Sequence, residues 1–422
     1  MAGKVKVNDE GAELSFIDSG RPLGNTYKTI VCIHGHTYHA QIFSRLFAYA
    51  EQENLRVIAL NRRDYIGSSA FTATELRALH SVNDKLKNGE TPSHSVMDFL
   101  RDRGLEIARF LVWVIRELQI PPISQSGDEG GLALLGWSLG NVTTLAFLSN
   151  LRTYPRDIVE TLEPYLRTFV MYELPDYSLG YARPQGGYHP LEDRTIPERT
   201  RGISTGKWVA SYYSHPVYSD TNLSLPFDEL ATARATGIFV EEDDSRDVFP
   251  SLTSLEVLQI RTPSPKEALR ANTMNSFTAR DFVQCADTKP HERSDKHLMR
   301  LPLEVLRHQM HHALYMGPEE TLNFNAFSSD YAETSPVLEY SDDYEILLPR
   351  LKVQVLFGLA SYWAVQWETW QLQKELDKVR TLNFEGMDIL TRPVSFVPIP
   401  GENHFMHWDN PKKFVELCSD VI

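Results

Sequence analysis

The chain has 422 residues, 42% of them hydrophobic and 23% charged, and its 42 basic against 56 acidic side chains leave a formal charge of −14. That composition excludes a disordered or fibrous protein, and the acidic excess argues against a general binder of nucleic acid or anionic membrane. Three cysteines, Cys32, Cys285 and Cys418, share no metal-ligand spacing and are too few to staple so long a chain, so a reducing, cytoplasmic setting is expected. The N-terminus, MAGKVKVNDEGAELSF, lacks an apolar signal core, and the strongly apolar stretch Phe110 to Ile115 falls far short of a membrane span, so no stable membrane insertion is expected.

In chain order, the β-branched run Thr29 to His34 reads as a buried strand ending at Gly35. Ile42, Phe43, Leu46, Phe47 and Ala50 recur at helical spacing, which predicts a helix over Ala40 to Gln52, and Leu55 to Leu60 reads as the next strand. Strand, helix, strand implies a right-handed parallel crossover. Residues Val96 to Ile120 carry one apolar face and stop at Pro121-Pro122, as a helix does. Further strands are expected at Leu132 to Trp137, Thr168 to Glu173, Lys352 to Phe357 and Val394 to Ile399, with a helix-like aromatic stretch from Tyr362 to Leu376. Between about Asp176 and Arg350 the alternation stops. That segment holds an acidic run, Glu241 to Asp244, and helical patterns around Pro265 to Val283 and Leu301 to Tyr315. The division is therefore a core of 1–175 and 351–422 interrupted by an inserted cap, 176–350, too long for a structureless loop.

The sharpest motif is Gly136-Trp137-Ser138-Leu139-Gly140, with a strand before it and the helical stretch Asn141 to Leu148 after it. This is a G-x-S-x-G nucleophile elbow in its required setting. A serine on so tight a turn sits at a strained backbone position, and Gly136 and Gly140 remove side chains that would collide around it. The helix N-terminus behind Ser138 offers free N–H groups to an oxyanion.

The strings IVCIHGHTYHAQIF, ALNRRDYIGSS, LALLGWSLGN and PIPGENHFMHWDNPKKF together resemble the α/β-hydrolase superfamily, closest to fungal cap-bearing members associated with secondary metabolism. The resemblance implies an α/β-hydrolase fold: a mostly parallel central sheet flanked by helices, with a large, mainly helical cap inserted after the strand ending in Glu173. It implies a serine hydrolase, with Ser138 as nucleophile and His404, in Gly401-Glu402-Asn403-His404-Phe405, as base. The oxyanion donors implied are the backbone N–H groups of Leu139 and of His36, in the loop after the first strong strand. His407 reads as a helix-start or packing histidine.

The acid departs from the pattern. Where many members place an aspartate after the penultimate strand, this chain reads Gly358-Leu359-Ala360-Ser361, and a serine cannot stabilise imidazolium. Some cap-bearing members carry the acid one strand earlier, which points to Glu173, with Asp176 the alternative and Glu368 third. Tyr38, Trp137 and Trp363 are the residues expected to contact substrate. Trp208, Tyr212, Tyr213, Tyr218 and the helix bearing His308 and His311 are expected to close an apolar pocket over Ser138. His308, His311 and His312 share a helix side but lack a fourth ligand, and Glu241 to Asp244 lacks EF-hand spacing, so neither reads as a metal site. No cofactor is implied, and the expected partner is a small molecule: a bulky, mostly apolar ester, lactone or thioester. The same triad would also serve acyl transfer, C–C cleavage or cyclisation. A third reading is a non-catalytic ligand-binding protein, which the intact Ser138 and His404 oppose and the serine at 361 favours.

Overall fold

The structure is a computed structural model that describes residues 1–87, 94–184, 186–218, 270–317, 345–384 and 389–422. Eight strands form one sheet in the order β1-β2-β4-β3-β5-β6-β7-β8. They are β1 (Ala2–Lys6), β2 (Glu13–Asp18), β3 (Lys28–Ile33), β4 (Leu55–Leu60), β5 (Leu132–Trp137), β6 (Leu166–Tyr172), β7 (Lys352–Gly358) and β8 (Val394–Ile399). From β4 to β8 all neighbours run parallel, whereas β1 and β2 add an antiparallel edge. That edge is not anticipated in the sequence reading.

Side chains alternate faces along each strand, so successive residues enter opposite core layers. Val31, Ile33, Ile58, Leu60, Leu132 and Leu134 belong to one layer, packed by the helix His94–Glu117. Ile30, Cys32, Val57, Ala59, Ala133 and Leu135 belong to the other, packed by the 40–50 segment and the helix Pro411–Val421. A continuous apolar run is what a strand covered on both faces requires. Arg56 is the exception in β4, and its guanidinium is paired within the sheet to both carboxylate oxygens of Asp18 (3.1 and 2.6 Å).

Two expectations need correction. The predicted helix from Ala40 to Gln52 is mostly 3₁₀, over Ala40–Leu46 and Glu51–Glu53, with one α turn at Phe47–Ala50. It keeps Ile42, Phe43 and Leu46 on the sheet, so apolar spacing located the face but not the winding. The strand predicted to end in Glu173 ends at Tyr172; Glu173 itself turns out of the ladder with φ +55°.

Helix His94–Glu117 lies against helix Gly140–Ser149 so closely that a Cβ on Gly104 would stand 2.3 Å from both the Ala146 carbonyl and the Tyr154 hydroxyl. Neither atom has room to retreat, because Tyr154 Oη donates to the carbonyls of Ala146 and Phe147 (3.2 and 3.0 Å). Gly104→Ala is therefore expected to destabilise the chain by about 3 kcal/mol, measured as a lowered denaturant midpoint with unchanged slope.

Of the interval 176–350, the described parts include the helices Glu198–Val209, Ala279–Cys285 and Leu303–Leu314. The acidic run Glu241 to Asp244 and the first residues of the pattern beginning at Pro265 lie outside the described residues. Helix Leu303–Leu314 packs on helix Gly140–Ser149, with Gln309 Nε2 donating to the Val142 carbonyl (2.9 Å). Residues 208–218 pack on the loop after β7: Tyr213 N donates to Ala360 O (2.9 Å), and Trp208 and Tyr213 share an aromatic cluster with Phe357, Tyr362 and Trp363. Residues 285–295 meet the loop after β3. The contacts of residues 208–218 and 285–295 are at the carboxyl ends of the parallel strands, whereas helix Leu303–Leu314 lies along the face of the sheet and ends beside Arg392, ahead of β8, with Arg392 N donating to Leu314 O (2.8 Å). Among the described residues no helix is long and apolar enough to cross a membrane.

Candidate active site

Strand order reverses between β3 and β5, since β4 lies beyond β3 on one side and β6 beyond β5 on the other. A crevice opens at the carboxyl edge of an open parallel sheet at such a switch point. Two loops meet there, residues 35–39 after β3 and the turn at Ser138 after β5.

Ser138 has φ +53°, a left-handed conformation costly for a residue with a side chain. The surroundings hold it. Ser138 N donates to Tyr172 O (3.0 Å), and Asn141 Nδ2 donates to the carbonyls of Ser138 and Tyr172 (2.9 and 3.0 Å). The flanking glycines have specific reasons. A Cβ on Gly136 would meet Thr144 Oγ1 at 2.4 Å, and one on Gly140 would meet Ile33 O at 2.4 Å, so helix and strands close on the turn only without side chains. A Cβ on Gly35 would lie 2.8 Å from Ser138 Cβ, which shows how near the 35–39 loop approaches.

Glu173 is wholly buried, and its carboxylate accepts three hydrogen bonds. Gly358 N donates to Oε1 (2.5 Å), while Ser361 Oγ and His404 Nδ1 donate to Oε2, the latter over 2.9 Å. A buried carboxylate is tolerable only when so paired. Ser361 thus occupies the aspartate position of the commoner pattern and donates to an acid delivered by the neighbouring strand. His404 is buried too. Its carbonyl accepts from Trp137 Nε1 (3.0 Å), and its ring centroid lies 5.3 Å from the Trp137 ring, beside the residue preceding Ser138. With Nδ1–H committed to Glu173, Nε2 is left as the basic nitrogen.

Among the described residues the backbone N–H groups of His36 and Leu139 donate to no acceptor. The His36 side chain bonds to His291 (Nε2 to Nδ1, 2.8 Å), and burial lowers its pKa to about 4, so the ring is neutral. Tyr177, which sequence reasoning missed, faces the Ser138 side chain; burial, then Asp176, pushes its hydroxyl well above the usual phenol range, and it stays protonated. No motif marks it, since an aromatic four residues past a strand-end acid has no spacing signature.

The other candidates sit elsewhere. Asp176 is bound to Arg183 Nε (2.6 Å) and makes no hydrogen bond to His404. Glu368 accepts from Leu179 N (2.7 Å), away from His404. His407 is fully buried among Phe43, Trp137, Tyr172 and Phe414. Tyr38, Trp137 and Trp363, expected to contact substrate, have their faces taken by neighbouring rings or helices: Tyr38 packs on Trp137, Phe277 and Phe405, and Trp363 Nε1 donates to Tyr188 O (2.9 Å).

The expected pocket wall is also redistributed. Tyr212 and Tyr218 bond to Asp409 and Gln366 (2.6 and 2.8 Å). His311 pairs with Glu375 (2.8 Å), while His308 and His312 line a cavity of about 430 Å³ with Asn150, Arg152 and Arg392, at the far end of helix Gly140–Ser149 from Ser138. Helical spacing placed these groups on one helix but not toward one neighbour. No group of three or more potential metal ligands is arranged for an ion among the described residues.

Glu368 supports a stability prediction. Burial pushes its carboxyl well above the usual range, so the folded chain retains a proton that the unfolded chain releases. That contribution is complete below the unfolded pKa and declines as pH rises toward the folded one. Glu368→Gln keeps an acceptor for Leu179 N–H and cannot ionise. It is expected to raise the melting temperature by about 2 °C at about pH 7.5 and to leave it unchanged at about pH 4, as read by calorimetry at both values.

No protein-family model and no curated protein matches the chain. Solved structures do. A haloalkane dehalogenase from Paraglaciecola agarilytica is 9% identical, with 100% of this chain and 93% of that chain covered at a TM-score of 0.42. An esterase from Exiguobacterium antarcticum is 13% identical, covering 100% and 98% at 0.39, and an epoxide hydrolase variant from Vigna radiata is 11% identical, covering 100% and 97% at 0.40. The architecture itself is read from the strand order: an antiparallel edge, a parallel run reversing between β3 and β5, and a serine on the sharp turn from β5 into a helix give the chain the α/β-hydrolase fold.

Proposed function

We propose that the chain is a serine hydrolase acting through an acyl-enzyme. Ser138 Oγ attacks a carbonyl carbon while His404 Nε2 takes its proton; Glu173 orients the ring and stabilises imidazolium. The tetrahedral oxyanion is held by the N–H groups of His36 and Leu139. As the C–O or C–S bond to the leaving group breaks, His404 returns the proton to it. Water then attacks the acyl-enzyme through the same cycle. The observation that carries this reading is the buried bond between His404 Nδ1 and Glu173 (2.9 Å), because it supports a base with its other nitrogen left free at the sheet edge that also carries the strained serine.

The interval 176–350 is proposed as a cap that decides substrate choice, a reading supported by the contacts that residues 208–218 and 285–295 make with the loops after β7 and β3. Tyr177 and Tyr362, both with hydroxyls kept protonated by burial, give the reaction space aromatic walls with polar tips. They fit a bulky, mostly apolar ester, lactone or thioester, of the kind handled in secondary metabolism. Three buried, unpaired thiols are compatible with residence in the cytoplasm. Incubation with a fluorophosphonate probe, followed by intact-mass measurement and peptide mapping, tests the reading. One adduct on Ser138 is expected; no adduct would reject an activated serine.

A further inference from the structure

The peptide joining Gly35 to His36 is held by buried side chains. Its carbonyl, Gly35 O, accepts from Arg62 Nη2 (3.1 Å) and from His34 Nδ1 (2.9 Å). A trans peptide points its carbonyl and its N–H in opposite directions. Fixing Gly35 O therefore fixes the aim of the His36 N–H, which has no acceptor among the described residues and follows Gly35, where a Cβ would lie 2.8 Å from Ser138 Cβ. The next peptide is held too, with Thr37 N donating to Tyr65 Oη (3.0 Å) at a residue whose φ is +69°.

Both holding groups converge on one carboxylate from the inserted segment. Asp295 accepts from Arg62 Nη2 on both oxygens (2.9 and 3.0 Å) and from Tyr65 Oη (2.5 Å). All three side chains are buried. The same stretch of chain also pairs with the loop through its backbone: Asp287 N donates to Thr37 O (2.7 Å), and His39 N donates to Cys285 O (2.9 Å).

Resting on the serine-hydrolase reading above, we infer that Asp295 is a positioning residue for the oxyanion site: through Arg62 and Tyr65 it sets the direction of the His36 N–H, so the inserted segment completes the site that it covers. A buried Arg62 deprived of its carboxylate leaves an uncompensated charge, which draws the guanidinium out of place and releases Gly35 O. The group affected acts on the developing oxyanion, so its loss lowers the rate of the bond-forming step and leaves ground-state binding unchanged.

The test is saturation kinetics of inactivation by a fluorophosphonate, which separates the maximal rate from the half-saturating concentration and needs no known substrate. Removing one oxyanion donor costs about 10²–10³ in rate, so Asp295→Asn, which misaims the donor, is expected to lower the maximal inactivation rate about 10- to 100-fold with half-saturation unchanged. Tyr65→Phe leaves the Arg62–Asp295 pair intact and removes the acceptor of Thr37 N–H together with one donor to Asp295; it should slow the same step several-fold, and it carries the test if Asp295→Asn does not fold. Arg293→Gln breaks a neighbouring contact of the same segment, to Asp64 at 3.3 Å, without touching the loop, and should react at the wild-type rate. A folded Asp295→Asn, or in its place Tyr65→Phe, that reacts as fast as wild type overturns the inference while leaving the serine reading intact. Equal slowing by Arg293→Gln also overturns it, since general docking would then explain the effect. A wild-type chain that never reacts rejects the serine reading, and this inference with it.

Discussion

Ser138→Ala is expected to abolish fluorophosphonate labelling and to lower turnover of any accepted ester about 10⁶-fold, the loss typical of removing a nucleophile whose partners act as a unit. The change deletes one oxygen from a side chain at the surface of the crevice. The turn is held by backbone and by Asn141, not by the hydroxyl: Ser138 N to Tyr172 O and Asn141 Nδ2 to Ser138 O both survive the substitution. Alanine meets the same positive φ as serine and adds no bulk near Gly35. The variant should therefore melt within about 2 °C of wild type, so lost activity reports on chemistry and not on folding. Intact mass after probe treatment decides the matter. An adduct retained in Ser138→Ala would move the nucleophile elsewhere, and a variant that fails to fold would mean that the hydroxyl holds the elbow together.

Much of this arrangement is legible because it is local. The elbow combines a strand, two glycines and a helix within a few residues, and each glycine answers to a neighbour a few residues away or on the adjacent strand. Glu173 and Ser361 are of another kind. The serine at 361 reads as a missing acid until the β6 and β7 ends are laid side by side, when it becomes a donor to the acid one strand earlier. Asp295 and Tyr177 carry no periodic or spacing signal, because what gives them a place is contact across 233 residues in one case and a turn of irregular backbone in the other. The 40–50 segment shows a related limit of pattern: apolar spacing reports the buried face, which an α-helix and a 3₁₀ helix share over a few residues. For the aromatics Tyr212 and Tyr218, the hydroxyl partners Asp409 and Gln366 set orientation, and these lie far along the chain.

Glu173→Gln is expected to lower the maximal rate by about 10⁴-fold while leaving binding of an inert ligand unchanged. Glutamine matches the shape but brings an NH₂ group to a site where every neighbour donates: Gly358 N, Ser361 Oγ and His404 Nδ1. The hydroxyl of Ser361 can rotate to accept, and Gly358 N–H can keep the amide oxygen. His404 then faces the NH₂ group and answers by moving its proton to Nε2, which turns the base into a donor toward Ser138 and removes its lone pair from the reaction. The imidazolium formed during turnover also loses the negative charge that stabilised it. Asp176→Asn should be mild, within about 10-fold, because Asp176 is engaged by Arg183 and not by His404. Ser361→Ala should fall between, since it removes one of three donors to Glu173 and leaves the imidazole bond in place. Measuring all three variants with one ester and one probe gives the order Glu173→Gln, Ser361→Ala, Asp176→Asn from most to least damaged. If Asp176→Asn proves the most damaged, the acid moves to Asp176, and the buried bond between Glu173 and His404 becomes a packing contact.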